Sequence, residues 1–320
     1  MRCANYLVWL IITALAGCAH EGQVPKARGE EPLGTLVASG LDRQASFRVD
    51  EDRIWWRDNE GRWNVWKDGH SSALAPGPPL ERATPDGDRA VFWSPIHPNL
   101  VLWHLDSDRA HITHVLGDQI PAELSWPHLL TFKMENESSS ELPPYWLHDL
   151  NARKSQRVDA AFIGTGPRTI IQNCRLNGEV LDCLVQETDS WQLQRITPTG
   201  SITTLVSDGG TADNFLLTDE WLYLESDGNQ YLWTDGRKLA LTPCAGESAG
   251  SATHGGALVT LCHGESRWEF KIRTASGWKT FVEGRNPPPL AFDLGTMGLV
   301  FTQPTEPGRW DLRAVDLPAS

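Results

Sequence analysis

Gly246-Glu247-Ser248-Ala249-Gly250 is the string in this chain that most suggests catalysis. A serine flanked in the pattern G-x-S-x-G can sit on a sharp strand-to-helix turn, with its hydroxyl exposed as a nucleophile for acyl transfer. His254-Gly255-Gly256 looks like a backbone oxyanion hole close by. That chemistry needs the oxyanion segment before the serine and a helix directly after it. Here the segment follows the serine, and residues 249–256 are too rich in Gly, Ser and Thr to open a stable helix. The expectation is a flexible loop between Cys244 and Cys262, and no catalytic residue is assigned.

Other residue types point to metal or ligand chemistry. His104, His111 and His114 are close in sequence. In a strand, His111 and His114 face opposite ways, because side-chain direction alternates. A shared site would have to form across a hairpin, and solvated or hydrogen-bonded histidines are the expectation. Asp106-Ser107-Asp108 lacks the glycine and distal glutamate of a calcium loop. No cysteine pair has C-x-x-C spacing. Neither a metal nor a cofactor is expected. Tandem Trp55-Trp56 would place two rings on opposite faces of a strand, at least one of them at the surface or at a sheet interface. Both are carried forward as candidate surface-binding residues.

The elements that must position these residues are strands. The chain has many short runs of period-two alternation, rich in Trp, Val, Ile, Leu and Thr, and no convincing amphipathic helix. Asp58-Asn59-Glu60-Gly61, Pro85-Asp86-Gly87, Asn177-Gly178 and Asp227-Gly228 read as hairpin tips. Cys174, Cys183, Cys244 and Cys262 form an even set that three pairings could satisfy. With Gly178 at the first central position of a type II′ turn, the register sets Cys174 opposite Cys183 in a pair with close side chains. Cys244 and Cys262 then pair by elimination.

The first residues give an address. After Arg2, the run Tyr6 to Ala16 is uncharged and too short to span a bilayer comfortably. It ends in Leu15-Ala16-Gly17-Cys18, which resembles the lipobox of bacterial lipoproteins. The resemblance implies a signal peptide over residues 1–17 and three acyl chains at Cys18, which bind the lipid bilayer without a transmembrane helix. Ala19, in place of an aspartate, implies outer-membrane rather than inner-membrane sorting, facing the periplasm. Residues 18–32 then read as the lipidated cysteine and a flexible polar tether with a root-mean-square reach of about 20 Å. Four cysteines destined for disulfides fit that oxidising compartment. Loss of the signal removes Arg2 and no acid, so the formal charge of −13 becomes −14. Such acidity argues against nucleic acid as a partner.

A longer period runs through residues 33–320. A large residue, any residue and an apolar residue recur as Trp63-Asn64-Val65, Leu100-Val101-Leu102, Tyr145-Trp146-Leu147, Trp191-Gln192-Leu193, Gln230-Tyr231-Leu232, Trp268-Glu269-Phe270 and Trp310-Asp311-Leu312. The intervals are 37, 45, 46, 39, 38 and 42 residues. A period near forty with seven copies predicts an all-β fold, a seven-bladed β-propeller of four-stranded antiparallel blades. Leu33 to Leu41 reads as an extra strand that completes the last blade and closes the ring. Thr84-Pro85-Asp86-Gly87-Asp88-Arg89-Ala90-Val91-Phe92 resembles the strand-turn-strand element of TolB-type propeller repeats.

Two functions fit a lipid-anchored propeller. One is a non-enzymatic module that binds an envelope protein or polymer. The other is a periplasmic hydrolase or lyase acting on glycans at the propeller mouth. A deep mouth with clustered Asp, Glu, His and Arg would point to the enzyme, and a flat or apolar one to binding.

Overall fold

The computed structural model describes residues 33–318, except 43–45, 75–79, 107–108, 134–144, 159–169, 198–199, 219–220, 227–228, 235, 246 and 275. The lipobox and the tether therefore lie outside the described residues.

Strand β1 (Thr35–Leu41) precedes seven sequential groups. Blade 1 holds β2 (Phe47–Asp50), β3 (Arg53–Arg57), β4 (Trp63–Lys67) and β5 (His70–Ala73). Blade 2 holds β6 (Arg82–Asp86), β7 (Arg89–Trp93), β8 (Asn99–His104) and β9 (Arg109–Leu116). Blade 3 holds β10 (Gln119–Ser125), β11 (His128–Lys133), β12 (Tyr145–Asp149) and β13 (Lys154–Val158). Blade 4 holds β14 (Ile170–Asn177), β15 (Val180–Gln186), β16 (Ser190–Ile196) and β17 (Ile202–Gly209). Blade 5 holds β18 (Ala212–Leu217), β19 (Leu222–Ser226), β20 (Asn229–Thr234) and β21 (Arg237–Leu241). Blade 6 holds β22 (Glu247–His254), β23 (Ala257–His263), β24 (Arg267–Thr274) and β25 (Gly277–Arg285). Blade 7 holds β26 (Phe292–Gly295), β27 (Gly298–Glu306) and β28 (Arg309–Val315), with β1 as its fourth, outermost strand.

The protein is a seven-bladed β-propeller of four-stranded antiparallel sheets. All seven copies of the repeated signature fall on the third strand of a blade: β4, β8, β12, β16, β20, β24 and β28. The closing strand is where the sequence places it, with Thr35 opposite Ala314 and Leu41 opposite Trp310. Pairing β1 to β28 covers an edge that would otherwise present unpaired backbone groups.

Alternation along these strands builds the core. Trp55 is fully buried and packs with Trp63, Phe92 and Trp103, facing blade 2. Its neighbour Trp56, 5% exposed, packs with Val300 and Leu312 of blade 7. One tandem pair thus fills both faces of blade 1, as the two-residue period requires. Trp191 and Trp268 do the same work against Phe215 of blade 5 and Phe301 of blade 7. Buried indole N–H groups find backbone acceptors at two of these sites: Trp63 Nε1 donates to Leu80 O at 2.9 Å and Trp268 Nε1 to Arg285 O at 2.8 Å.

The hairpin register at Gly178 holds. Its φ is +59°, Asn177 pairs with Val180, and Cys174 lies opposite Cys183 with Cα atoms 4.1 Å apart. The second disulfide joins Cys244 and Cys262. The tip at Asp227-Gly228 lies outside the described residues.

Candidate functional site

The first strands of the blades surround the axis, neighbour against neighbour, so their side chains decide what the centre of the ring can do. Four of them carry a charge at one register position, two residues before the last paired residue of the strand: Arg48, Glu123, Arg175 and Asp293. Thr84, Phe215 and Ala252 hold that position in the other three blades. Starting at blade 7, the layer reads Asp293, Arg48, Thr84, Glu123, Arg175, Phe215, Ala252.

The carboxylates of this region are tied to the backbone of the next blade. Asp293 Oδ2 accepts from the Val49 N–H of blade 1 at 3.2 Å. Asp50 accepts from the Gly87 N–H of blade 2, and Asp86 from the Trp126 N–H of blade 3 at 2.5 Å. Glu123 accepts from the Leu176 N–H of blade 4 and from Arg175 Nη1 at 2.7 Å. The series continues through side chains from Asn173 Nδ2 to Asn214 Oδ1 of blade 5, at 3.2 Å. A carboxylate that accepts a backbone N–H ties the first strands of two blades together, and at blades 7 and 1 the Thr296 N–H adds a backbone bond to Glu51 O at 2.9 Å. Burial raises Asp50 to about 6, the Gly87 N–H opposing it and the charges of Asp86 and Glu51 adding to it. Burial also raises Asp293, against the pull of Arg48.

The arginines of this layer feel one another as well as the carboxylates. Arg48 feels Asp293 and, from across the ring, Arg175. Burial, and then the charge of Arg48, lowers Arg82 to about 10. Arg82 Nε is buried with no hydrogen-bond partner among the described residues, and its guanidinium carbon lies 5.8 Å from the centre of the Phe132 ring.

The sequence-derived candidates sit elsewhere. Ser248 is not on a loop, as its composition suggests. It belongs to the first strand of blade 6, where Glu247–His254 pairs with β23 and Ser248 lies opposite Cys262. Gly and Ser lower helix and strand propensity alike, and the adjacent Val- and Leu-rich strand supplies the pairing that decides the outcome. Ser248 is exposed, and its Oγ accepts from Gln230 Nε2 at 2.9 Å. A strand replaces the turn and helix that a nucleophile elbow needs.

The three histidines separate as alternation demands. His104 and His111 stack edge to face across the β8–β9 hairpin, 5.6 Å apart. His114 instead reaches blade 3, 3.5 Å from Ser155 Oγ. There His148 is buried, within 2.9 Å of Thr131 Oγ1, 2.8 Å of Gln119 Oε1 and 2.7 Å of Ser155 Oγ. Burial, with His114 adding, lowers it to about 4, so it is neutral at ordinary pH. This polar knot was not foreseen, because its members come from four strands. Among the described residues, no group of three His, Cys, Asp or Glu is placed to hold a metal ion. Trp55 and Trp56 offer no surface for stacking a ligand. Both are consumed by the blade interfaces, and this corrects their candidate role.

A cleft of about 590 Å³ lies at the rim, lined by Gly40, Thr305, Glu306, Arg309 and Asp311 beside the closing strand. Arg309 Nη1 donates to Gly40 O at 3.0 Å, and Asp311 pairs with Arg313 at 2.9 Å.

No family model matches the chain, and no curated protein matches it. Solved structures do. The acylaminoacyl peptidase of Pyrococcus horikoshii superposes with a TM-score of 0.62 at 12% identity, over 88% of this chain and 52% of that one. The likeness is one of fold. This chain thus spans about half the length of that peptidase. The β-propeller domain of the Trilobed protease from Pyrococcus furiosus gives a TM-score of 0.61 at 10% identity, over 89% of this chain and 97% of that one. That domain is described as having an open velcro topology, whereas here β1 completes blade 7. A prolyl endopeptidase gives 0.55 at 13% identity, over 88% of this chain and 51% of that one.

Proposed function

We propose that this chain is a lipid-anchored envelope protein whose propeller is a binding module for an envelope protein or polymer. Its binding face is the one on which the first hairpins of the blades open. The anchor rests on Leu15-Ala16-Gly17-Cys18, with Ala19 favouring the outer membrane. The observation that carries the binding reading is the use made of the axial carboxylates. A charged mouth suggests proton-transfer chemistry at first sight. Yet Asp50, Asp86, Glu123 and Asp293 each spend an oxygen on the backbone of the next blade. A carboxylate held to the backbone of the next blade is fixed in position as a brace. Braces of this kind keep a face rigid, which suits recognition. The peptidase neighbours share the propeller at identities too low to lend an activity.

The test is metabolic labelling with radioactive palmitate and fractionation of cells producing the full chain. The wild type takes up label and sediments with the envelope. Cys18→Ser takes up none and moves to the soluble fraction. A processed Cys18→Ser protein that still sediments with membranes would overturn the anchor.

One observation favours a second reading, a hydrolase or lyase acting on envelope glycans. Asp50 holds a proton up to about pH 6 within reach of the charge of Asp86, the pairing of an acid with a base. Glycan cleavage that disappears in both Asp50→Asn and Asp86→Asn would establish it.

A further inference from the structure

Two histidine pairs lie between blades 2 and 3, and they differ in what their nitrogens do. In the first, His114 and His148 have ring centres 6.2 Å apart. Both nitrogens of His148 are taken there, Nδ1 by Ser155 Oγ at 2.7 Å and Nε2 by Gln119 Oε1 at 2.8 Å. His104 and His111 are the opposite case. Their ring contacts are with each other, at 5.6 Å, and between His104 and Trp126, at 5.9 Å. Neither imidazole takes part in a hydrogen bond among the described residues. His111 is exposed and His104 half-buried, so both rings reach solvent. A neutral imidazole carries one nitrogen with an unshared lone pair, and imidazole is mostly neutral at pH 7.5.

The register of β8 and β9 brings the second pair together. His104 lies opposite Arg109 and Leu102 opposite His111, so the two histidines are diagonal neighbours on one face of the hairpin. That face is turned to blade 3, since Leu102 packs with Leu124 and Leu129. A register shift between Asn99 and Val101 carries His114 away from the pair, towards Ser155. Two imidazoles that share one zinc ion at the tetrahedral angle, each nitrogen about 2.0–2.1 Å from it, have ring centres about 5 Å apart. The separation of 5.6 Å is close to this, and exposed His111 has room to turn its lone pair inward. His104 is the fixed member. It rests on Trp126, whose backbone N–H is held by Asp86 and whose ring carries the Arg89 guanidinium 4.8 Å from its centre. Asp88 pairs with Arg89 at 2.7 Å and offsets the charge that would repel a cation.

We infer that His104 and His111 form a two-histidine site for a divalent transition metal ion of the zinc type. Imidazole nitrogen suits zinc, copper and nickel, whereas magnesium and calcium take oxygen ligands. Only a site built across a hairpin could join histidines of this segment, and the β8–β9 hairpin joins these two without His114. Trp126 is a positioning residue, which holds the His104 ring in place. β8 ends at His104 opposite Arg89, directly beside the first hairpin tip of blade 2, so the site lies on the face that carries those tips. Two protein ligands leave two of the four positions of zinc to water or to a donor atom of a partner. The inference goes beyond the binding reading and does not rest on it.

The experiment is calorimetric titration of the full chain in non-ionic detergent at pH 7.5 with zinc chloride, after a chelator has removed adventitious metal. One zinc ion per chain should bind saturably at this site. His104→Ala and His111→Ala should each weaken that binding about tenfold or more, at least the cost of losing a group that merely orients a ligand. His114→Ala, on the same strand, should leave it unchanged. Diethyl pyrocarbonate modification mapped by peptide mass spectrometry locates the ion: zinc should shield His104 and His111 and leave exposed His70 as reactive as before. His111→Ala alters an exposed side chain, so its thermal midpoint without zinc should match the wild type, which separates lost binding from lost fold. Absence of saturable binding, binding undiminished in His104→Ala and His111→Ala, loss of binding in His114→Ala, or modification of His111 unaffected by zinc would each overturn the inference. None of these results touches the palmitate experiment, so the anchored-module reading stands or falls separately.

Discussion

Glu123 and Arg175, on the first strands of blades 3 and 4, form an ion pair at 2.7 Å while the same carboxylate also takes the Leu176 N–H. One side chain thereby joins two sheets through a charge and a backbone group. Glu123→Gln keeps an acceptor for Leu176 and removes the charge that holds Arg175. It should lower stability by about 1–3 kcal/mol. Urea unfolding followed by tryptophan fluorescence measures this, and a change below 0.5 kcal/mol, roughly the range of neutral surface substitutions, would deny the brace a role.

Two buried groups should give stability opposite dependences on pH. Asp50 titrates at about 6 when folded, above its ordinary 3.8. The folded state therefore binds its proton more tightly, and stability is lost as pH rises from about 4 through 6. Asp50→Asn keeps an acceptor for Gly87 and should be more stable than the wild type at pH 7.5, by up to about 3 kcal/mol, with the advantage gone near pH 4. His148 titrates at about 4 when folded, below its ordinary 6.5. Its contribution is present above pH 6.5 and is lost as pH falls towards 4. Unfolding midpoints of Asp50→Asn and His148→Gln at pH 7.5, 6 and 4.5 separate the two effects, and parallel profiles for both variants and the wild type would refute both.

Ser248 and Cys262 face each other across β22 and β23 with very different expected consequences. Ser248→Ala removes an exposed hydroxyl held only by an amide, so stability should stay within about 0.5 kcal/mol. A serine-reactive fluorophosphonate should leave the wild type unlabelled. Cys262→Ser opens a disulfide spanning 18 residues and should cost about 3 kcal/mol, exposing Cys244 to thiol reagents. Stoichiometric fluorophosphonate labelling that vanishes in Ser248→Ala would restore the serine as a nucleophile.

The fold was legible because packing repeats. Trp63, Trp191, Trp268 and Trp310 fill one position in blades 1, 4, 6 and 7, and that position lies on the third strand every time. The Cys174–Cys183 pair was legible because a two-residue turn at Gly178 sets its register locally. Ser248 was misplaced because a Gly- and Ser-rich segment has little intrinsic preference, and its strand is imposed by β23. Trp55 and Trp56 carried no sign that both faces of their strand are covered, since that follows from ring closure. The axial charges were missed for a related reason. Arg48, Glu123, Arg175 and Asp293 are far apart in the chain and share no motif. Their common signal is a charge two residues before the first hairpin tip, in a strand otherwise destined for burial.

We propose that the face carrying the first hairpins is the binding face of the propeller, and site-specific photo-cross-linking in living cells checks this. A photoreactive residue at Glu179, on the β14–β15 tip, should trap a discrete envelope partner on irradiation, and so should one at Thr296, on the β26–β27 tip. The same residue at Leu239, on the outermost strand of blade 5, should trap none. Adducts from Leu239 with none from Glu179 or Thr296 would contradict the claim and move the binding surface to the rim.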